Sequence, residues 1–162
     1  MAIAPKLLAV VPLLAICLAD LRHRLIPDWA VVMLGAIGLL GAFAAGQSGP
    51  ALQSALMAGG ICAVIGTALS LLGLWGWGDA KLLGAAGLLT SVGGLAELFV
   101  VMALAGGALA LLLLALRAPV QSGRLRLPAT APRWLRAEQR RLRLAPSVPY
   151  GLAIVAGLIA GM

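Results

Sequence analysis

The chain has 162 residues, of which 62% are hydrophobic and only 10% are charged. Soluble domains carry about 25% charged residues, so this composition leaves too little polar surface for a soluble protein. The net charge of +7 does not indicate nucleic-acid binding, because eight of the twelve basic residues fall between Arg117 and Arg143, beside apolar runs. Basic residues placed in this way are typical of a cytoplasmic loop near anionic lipid headgroups. The composition therefore predicts an all-α, polytopic membrane helix bundle.

The apolar runs predict six transmembrane helices within a single domain of residues 1–162. The first run resembles a secretory signal, with Lys6 before it and the small residue Ala19 at its end. We expect it to remain as a first span, because everything downstream is also apolar, and to continue through Asp20 toward Arg22. The six predicted spans cover about residues 4–19, 29–45, 51–74, 80–93, 96–116 and 148–162.

Proline, glycine and polar residues define the breaks between these spans. Pro27 cannot continue a helix interior, and residues 46–50 have the composition of a tight turn. Residues 80–116 would reach roughly 55 Å as one helix, far beyond a bilayer core of about 30 Å. We therefore expect this stretch to fold back at residues 90–94.

Residues 117–147 form the only substantial polar segment. Within it, residues 133–144 fit an amphipathic helix whose tryptophan and leucines rest in the membrane interface. A solvated basic loop is the alternative. If residues 22–28, 75–81 and 117–147 share one side, that side carries eleven of the twelve basic residues. The positive-inside rule then places these loops in the cytoplasm and both termini in the periplasm.

The most informative stretch is Gly76-Trp77-Gly78-Asp79, at a break between two apolar runs. An ionisable residue beside a membrane span is costly and indicates a functional site. The predicted topology brings Asp79 to the same membrane face as Asp20, at the end of the first span. Two carboxylates that share a site cannot both ionise easily, so one of them holds a proton. This is the requirement for aspartic-type peptide hydrolysis, in which one group acts as the base and the other as the acid.

Structural roles for the same residues are also open. Asp20 could pair with Arg22 or Arg24 as an interfacial anchor, and Asp79 could pair with Lys81. Asp28 follows Pro27 and is predicted to cap a helix. The two cysteines, Cys17 and Cys62, lie inside apolar runs and are predicted to be packing residues. A chain with one histidine and no Cys/His cluster offers no zinc site, so we expect no metal and no cofactor.

Three segments together resemble the type IV prepilin leader peptidases, which are membrane aspartic proteases of the Gly-x-Gly-Asp class. Asp20-Leu-Arg-His-Arg-Leu-Ile-Pro27-Asp28 is similar to the family's first aspartate and its Ile-Pro-Asn/Asp element. Gly76-Trp-Gly78-Asp79-Ala-Lys81-Leu-Leu is similar to its Gly-x-Gly-Asp-x-Lys-Leu signature. Val148-Pro-Tyr-Gly151 is a weaker match to a third element.

The resemblance implies that Asp20 and Asp79 are the catalytic pair and that Gly76, Gly78, Lys81 and Pro27 are supporting motif residues. It also implies cleavage of the short basic leader from pilin or pseudopilin precursors at the cytoplasmic face of the bacterial inner membrane. Asp28 and Arg24 are the candidate substrate contacts. The chain lacks the paired Cys-x-x-Cys motifs of the bifunctional members and so resembles the short, peptidase-only Tad/Flp-type members, without methyltransferase activity.

Two other classes of function use the same residues differently. The two aspartates could form a relay in a small proton-coupled carrier, although transporters usually place such groups near mid-membrane. The chain could also be a non-catalytic subunit of a pilus or secretion assembly. The predicted partners are the lipid bilayer and a membrane-inserted precursor peptide, with no nucleic acid; the sequence does not predict an oligomeric state.

Overall fold

The computed structural model describes residues 3–45, 49–122 and 148–162, together with residues 128, 131, 132, 135–137, 139 and 140. These residues are almost entirely helical and contain no strand, which confirms the all-α class. The main elements are α1 (Ile3–His23), α2 (Asp28–Ala45), α3 (Gly49–Leu71), α4 (Trp77–Leu89), a 3-10 turn (Val92–Gly94), α5 (Leu95–Gln121) and α6 (Tyr150–Gly161).

Most predicted spans correspond to one of these helices, and the differences lie at their ends. Helix α5 continues past the predicted end at residue 116 to Gln121, with Pro119 inside it. Val120 is almost fully buried, at 1% exposure, although it lies in the segment that the sequence predicts to be polar. The predicted polar segment of residues 117–147 therefore begins as the last turns of α5.

Two other predictions concern the segments between helices. The fold-back at residues 90–94 is confirmed: Thr90 is extended, and a 3-10 turn follows it. The backbone N–H of Val92 there donates to Ser54 Oγ on α3 at 3.0 Å. The predicted turn at 46–50 lies outside the described residues at 46–48, while Gly49 and Pro50 already belong to α3. The amphipathic helix predicted at 133–144 is described only at residues 135–137, 139 and 140, which are helical.

Two helices in the described part of the chain are long and apolar enough to cross a membrane, Gly49–Leu71 and the combined stretch Val92–Gln121. Residues 28–44 and 150–161 form shorter apolar helices. Large apolar side chains also cover the outside of the bundle, as in Leu7, Phe43 and Leu104. These features are consistent with a membrane protein, while the number of six spans and the side of each terminus remain predictions.

Helix α4 is the centre of the bundle. It packs against α2, α3 and α6, and most of its side chains are buried, including Leu82, Leu83 and Leu89. A helix that is apolar on all sides is typical of such an interior position. The residues that begin α4 are therefore held from three directions at once.

Small residues allow α3 and α4 to pack with their backbones in contact. A Cβ built on Gly66 of α3 would lie 2.9 Å from the Cα of Ala80, and one built on Gly87 of α4 would lie 2.7 Å from the carbonyl oxygen of Ala58. Close approach through small residues is the usual way in which helices associate in lipid. The contact at Ala80 lies next to Asp79, so this packing fixes the position of that carboxylate along the bundle.

The α3–α4 contact can be tested with two glycines of the same helix. We expect Gly66→Ala to lower the free energy of unfolding in detergent by about 1–3 kcal/mol, because the new methyl group would overlap the backbone of α4. Gly60→Ala is the matched control, since a Cβ there meets no atom within 4 Å. Equal thermal stability of the two variants would contradict the close contact.

Candidate active site

Asp20 lies in the last turns of α1 and is buried, with 4% of its surface exposed. It packs against Gly151 in the first turn of α6, where a Cβ would lie only 2.6 Å from Asp20 Oδ2. A glycine is therefore required at position 151 if α6 is to pass beside this carboxylate. Aspartate is almost never fully buried unless it is paired, so the burial of Asp20 marks it as a candidate functional residue.

The chain after Asp20 leaves the helix by a sharp turn. Arg24 has φ +56°, a left-handed conformation that is uncommon for a residue with a side chain, and its N–H donates to the carbonyl oxygen of Asp20 at 3.0 Å. Pro27 then sets the start of α2, since its carbonyl oxygen accepts from the N–H groups of Ala30 and Val31. The helix break predicted at Pro27 is confirmed.

Asp79 lies in the first turn of α4, at the same end of the bundle. Gly76 is the extended N-cap residue of α4, and its backbone forms a hydrogen bond with the Asp79 carboxylate. This is the half of a capping box in which the third residue of the helix reaches back to the cap. Ser70 Oγ at the end of α3 donates to the Gly76 carbonyl oxygen at 3.3 Å. The helix cap thus positions Asp79, which is why α4 begins before the predicted residue 80.

The two carboxylates affect each other. Asp79 lies outside both of the helices that are long enough to cross a membrane. Its pKa is raised from 3.8 to about 6, chiefly by burial and then by the charge of Asp20, while the hydrogen bond with Gly76 acts in the opposite direction. Asp79 therefore holds a proton more readily than an ordinary aspartate does, as one member of an acid–base pair must.

One open pocket with a volume of about 740 Å³ contains both aspartates. Its wall comes from the α1–α2 turn, the approach to α4, the first turn of α4 and the start of α6. Every segment on which the sequence resemblance depends contributes to it. The lining residues include Asp20, Arg24, Ile26, Asp28, Trp75, Gly76, Gly78, Asp79, Lys81 and Tyr150.

Comparison with known proteins identifies the family. The model of the type IV leader peptidase family matches residues 7–111, which include both aspartates and most of the chain. The chain belongs to this family. No curated protein and no solved structure matches the chain. At the level of the family, it is therefore a type IV prepilin-type peptidase; the third motif, at residues 148–151, lies outside the matched range.

The third motif nevertheless lines the pocket that contains the two aspartates. The ring of Tyr150 lies 5.6 Å from that of Trp75, centroid to centroid, at an angle of 38°. Such a tilted aromatic pair is favourable beyond the area that it buries, and it joins α6 to the approach of α4. No role for Trp75, Tyr150 or Gly151 was predicted from the sequence. The Val-Pro-Tyr-Gly element at residues 148–151 could have drawn attention to Tyr150 and Gly151, although it does not indicate a contact with Asp20.

Two glycines of the Gly-x-Gly-Asp signature meet different neighbours. A Cβ on Gly76 would lie 3.4 Å from Asp79 Oδ2, and a Cβ on Gly78 would lie 3.4 Å from the Cβ of Ile26. Gly76 therefore leaves room for the carboxylate that it caps, while Gly78 lets the α1–α2 turn pack on the first turn of α4. Both predicted motif glycines lie at the site.

Lys81 does not serve as the partner of Asp79. Its Nζ lies 3.1 Å from Asp28 Oδ1, in an ion pair whose side chains are 56% and 74% exposed. Residues two apart on a helix do not face each other, so Lys81 points away from Asp79 although it is close in sequence. The predicted alternative of an ion pair between Lys81 and Asp79 is therefore wrong, because Lys81 pairs with Asp28. Asp28 is the first residue of α2, where a negative charge interacts favourably with the helix dipole.

A second, apolar cavity of about 380 Å³ lies between α1 and α6. Its α1 wall starts at Cys17, three residues before Asp20, and ends near Val10, about 15 Å along the helix from Asp20 at ~1.5 Å per residue. Its α6 wall starts at Val155, shortly after Gly151. The lining residues include Val10, Leu13, Cys17, Val155, Ile159 and Met162. The apolar cavity thus begins close to the buried carboxylate and follows the same two helices away from it.

The raised pKa of Asp79 predicts a pH effect on stability. Between pH 3.8 and about 6 the folded protein keeps a proton on Asp79 that the unfolded chain has lost. Because the folded state binds more protons there, the free energy of unfolding falls as the pH rises through this interval. We expect Asp79→Asn, which imitates the protonated acid, to remove part of this fall in thermal unfolding experiments in detergent.

Glu97→Gln is the control for this measurement. Glu97 is an exposed carboxylate in the first turn of α5, away from the pocket. The control should keep the full pH dependence of the parent protein. If Asp79→Asn and the parent protein lose stability equally over the interval, Asp79 titrates as an ordinary aspartate.

Proposed function

We propose that the protein is an aspartic-type endopeptidase that removes the short basic leader from type IV or Flp pilin or pseudopilin precursors. The observation that carries this proposal is that Asp20 and Asp79, from two different helices, line one open pocket at one end of the bundle. The membership of the leader peptidase family supports the reaction class. Asp20 and Asp79 are its catalytic residues in this proposal.

The reaction needs one ionised and one protonated carboxyl group. The ionised group takes a proton from a water molecule, whose oxygen then bonds to the carbonyl carbon of the leader peptide bond. The protonated group donates its proton to the carbonyl oxygen. The carbon–nitrogen bond then breaks as the leaving nitrogen receives the proton that was taken from water, and the oxygen returns its proton to the group that donated it. Such acid–base assistance contributes typically 10²–10⁴-fold in rate. Because the pair titrates as a unit, the scheme does not depend on which aspartate starts with the proton.

The apolar cavity fits the rest of this substrate. A precursor of this kind has a polar, basic leader before the cleaved bond and an apolar helix after it. With the cleaved bond at the aspartates, the leader would lie at the open pocket and the apolar helix would follow α1 and α6. A glycine before the cleaved bond would favour local unwinding, which exposes a carbonyl group that a helix would otherwise keep hydrogen-bonded.

We place the protein in the bacterial inner membrane as a multi-pass, single-domain protein, with the pocket at the cytoplasmic face. The distribution of charge supports this placement. The end of the bundle that holds the pocket carries Arg22, Arg24 and Lys81, and the basic segment follows α5 in the sequence. Basic residues concentrate on the cytoplasmic side of membrane proteins. A proton-coupled carrier is less well supported, because both acids lie at one end of the bundle and not along a path across it.

A cleavage assay in detergent tests the proposal. We expect the purified protein to shorten a pilin precursor, and Asp20→Asn and Asp79→Asn each to lower the rate by about 100-fold or more, because each removes one half of the acid–base pair. Glu97→Gln, remote from the pocket, should retain the rate of the parent protein. Cleavage that survives either aspartate substitution would refute the assigned pair, and proton-coupled uptake without cleavage would favour the carrier.

Gly151 offers a second test of the same site. We expect Gly151→Ala to reduce cleavage strongly, since the added methyl group would displace the Asp20 carboxylate, and a misplacement of about 1 Å can lower a rate by about 100-fold. Gly107→Ala on α5 is the matched control, because a Cβ there meets no atom within 4 Å. Full activity of Gly151→Ala would show that Asp20 does not act from the position that it has in the structure.

A further inference from the structure

The ion pair between Asp28 and Lys81 joins two parts of the chain that are 53 residues apart. Asp28 is the first residue of α2 and follows the turn that leaves Asp20. Lys81 lies in the second turn of α4, two residues after Asp79. The bond between Lys81 Nζ and Asp28 Oδ1 thus connects the segment that carries one aspartate to the helix that carries the other.

This ion pair is too exposed to contribute much to the stability of the fold. The two side chains are 56% and 74% exposed, and ion pairs of this kind contribute little to the free energy of unfolding. Helices α2 and α4 are already held together in the interior, where a Cβ on Gly38 would lie 2.8 Å from the backbone of Leu88. The effect of the pair is therefore expected on the local position of the two segments that it joins, and not on the free energy of unfolding.

The pair joins α4 to the irregular segment that follows Asp20. Residues 24–27 are not helical, and Arg24 has a left-handed backbone. Ile26 in this turn also contacts the backbone of Gly78 in the first turn of α4. A movement of the turn would change the distance between the end of α1 and the start of α4, and so the distance between Asp20 and Asp79.

We propose that Asp28 and Lys81 are positioning residues, whose ion pair fixes the turn after α1 against α4 and thereby sets the spacing of the two aspartates. Asp28 acts through Lys81 and does not serve as a contact for the basic leader. The inference rests on the proposed peptidase function. It also gives a physical reason for a lysine two residues after the aspartate of the Gly-x-Gly-Asp signature.

Steady-state kinetics separate this role from binding of the leader. The substrate is a labelled peptide with a Lys/Arg-rich leader, a glycine before the cleaved bond and an apolar helix after it. We expect Asp28→Asn and Lys81→Gln each to lower kcat by about 10-fold or more, with KM unchanged, and the double variant to lose no more than either single one. Lys81→Arg and the exchange of Asp28→Lys with Lys81→Asp should restore most of kcat.

Arg22→Gln is the matched control, since Arg22 is an exposed cation at the end of α1 that does not line the pocket. It should retain the kcat of the parent protein. An increase in KM for Asp28→Asn together with normal kinetics for Lys81→Gln would overturn the proposal, because it would make Asp28 a direct contact for the leader. The proposal would also be overturned if the loss of kcat in the double variant were the product of the losses in the two single variants.

A measurement that does not depend on activity keeps this inference separate from the proposed function. Spin labels at the exposed positions Leu21 on α1 and Trp77 on α4, with Cys17 and Cys62 replaced, report the distance between the two segments. We expect one narrow distance distribution in the otherwise native protein and a broader one after Lys81→Gln. An unchanged distribution would refute the positioning role, whether or not the protein cleaves the peptide.

Discussion

The close approach of helix backbones is the constraint on which the rest of the molecule depends. In a bundle with an apolar outer surface, helices gain little from hiding apolar side chains, and they associate through packing between small residues. Gly66 and Gly87 let α3 and α4 touch in this way. The same device operates at the site, where Gly151 lets α6 pass beside Asp20. The positions of both carboxylates therefore follow from the absence of side chains on their neighbours.

The partly buried carboxylate of Asp79, held by a helix cap, has an unusual acidity. The cap at Gly76 holds Asp79 by a hydrogen bond that favours its charged form, while burial and the charge of Asp20 favour the protonated form. The result is an acid that changes its protonation state at a pH of about 6, well above that of an ordinary aspartate. Aspartates on the outer surface of a helix would have no such property, so the fold supplies the acidity as well as the geometry.

Much of this site could be predicted from the sequence. Asp20 and Asp79 were identified by their positions at the ends of apolar runs, and Pro27 and the glycines at 76 and 78 by local backbone chemistry. The partner of Lys81 was not predictable, because pairing with Asp28 depends on how α2 and α4 are aligned. The contact of Gly151 with Asp20 and the ring pair of Trp75 and Tyr150 likewise arise only when α6 returns to the start of the bundle. The extension of α5 to Gln121 was not predicted, because a proline such as Pro119 usually ends a helix.

The apolar cavity that follows α1 and α6 away from Asp20 has a consequence for the fate of the products. On the proposed reaction, cleavage leaves a basic peptide at the aqueous pocket and an apolar helix beside the lipid. Each fragment is then already in contact with the phase in which it is more soluble, and neither has to pass through the protein to leave. Partition between water and bilayer would separate the two products and oppose their religation, and no conformational change of the enzyme would be needed.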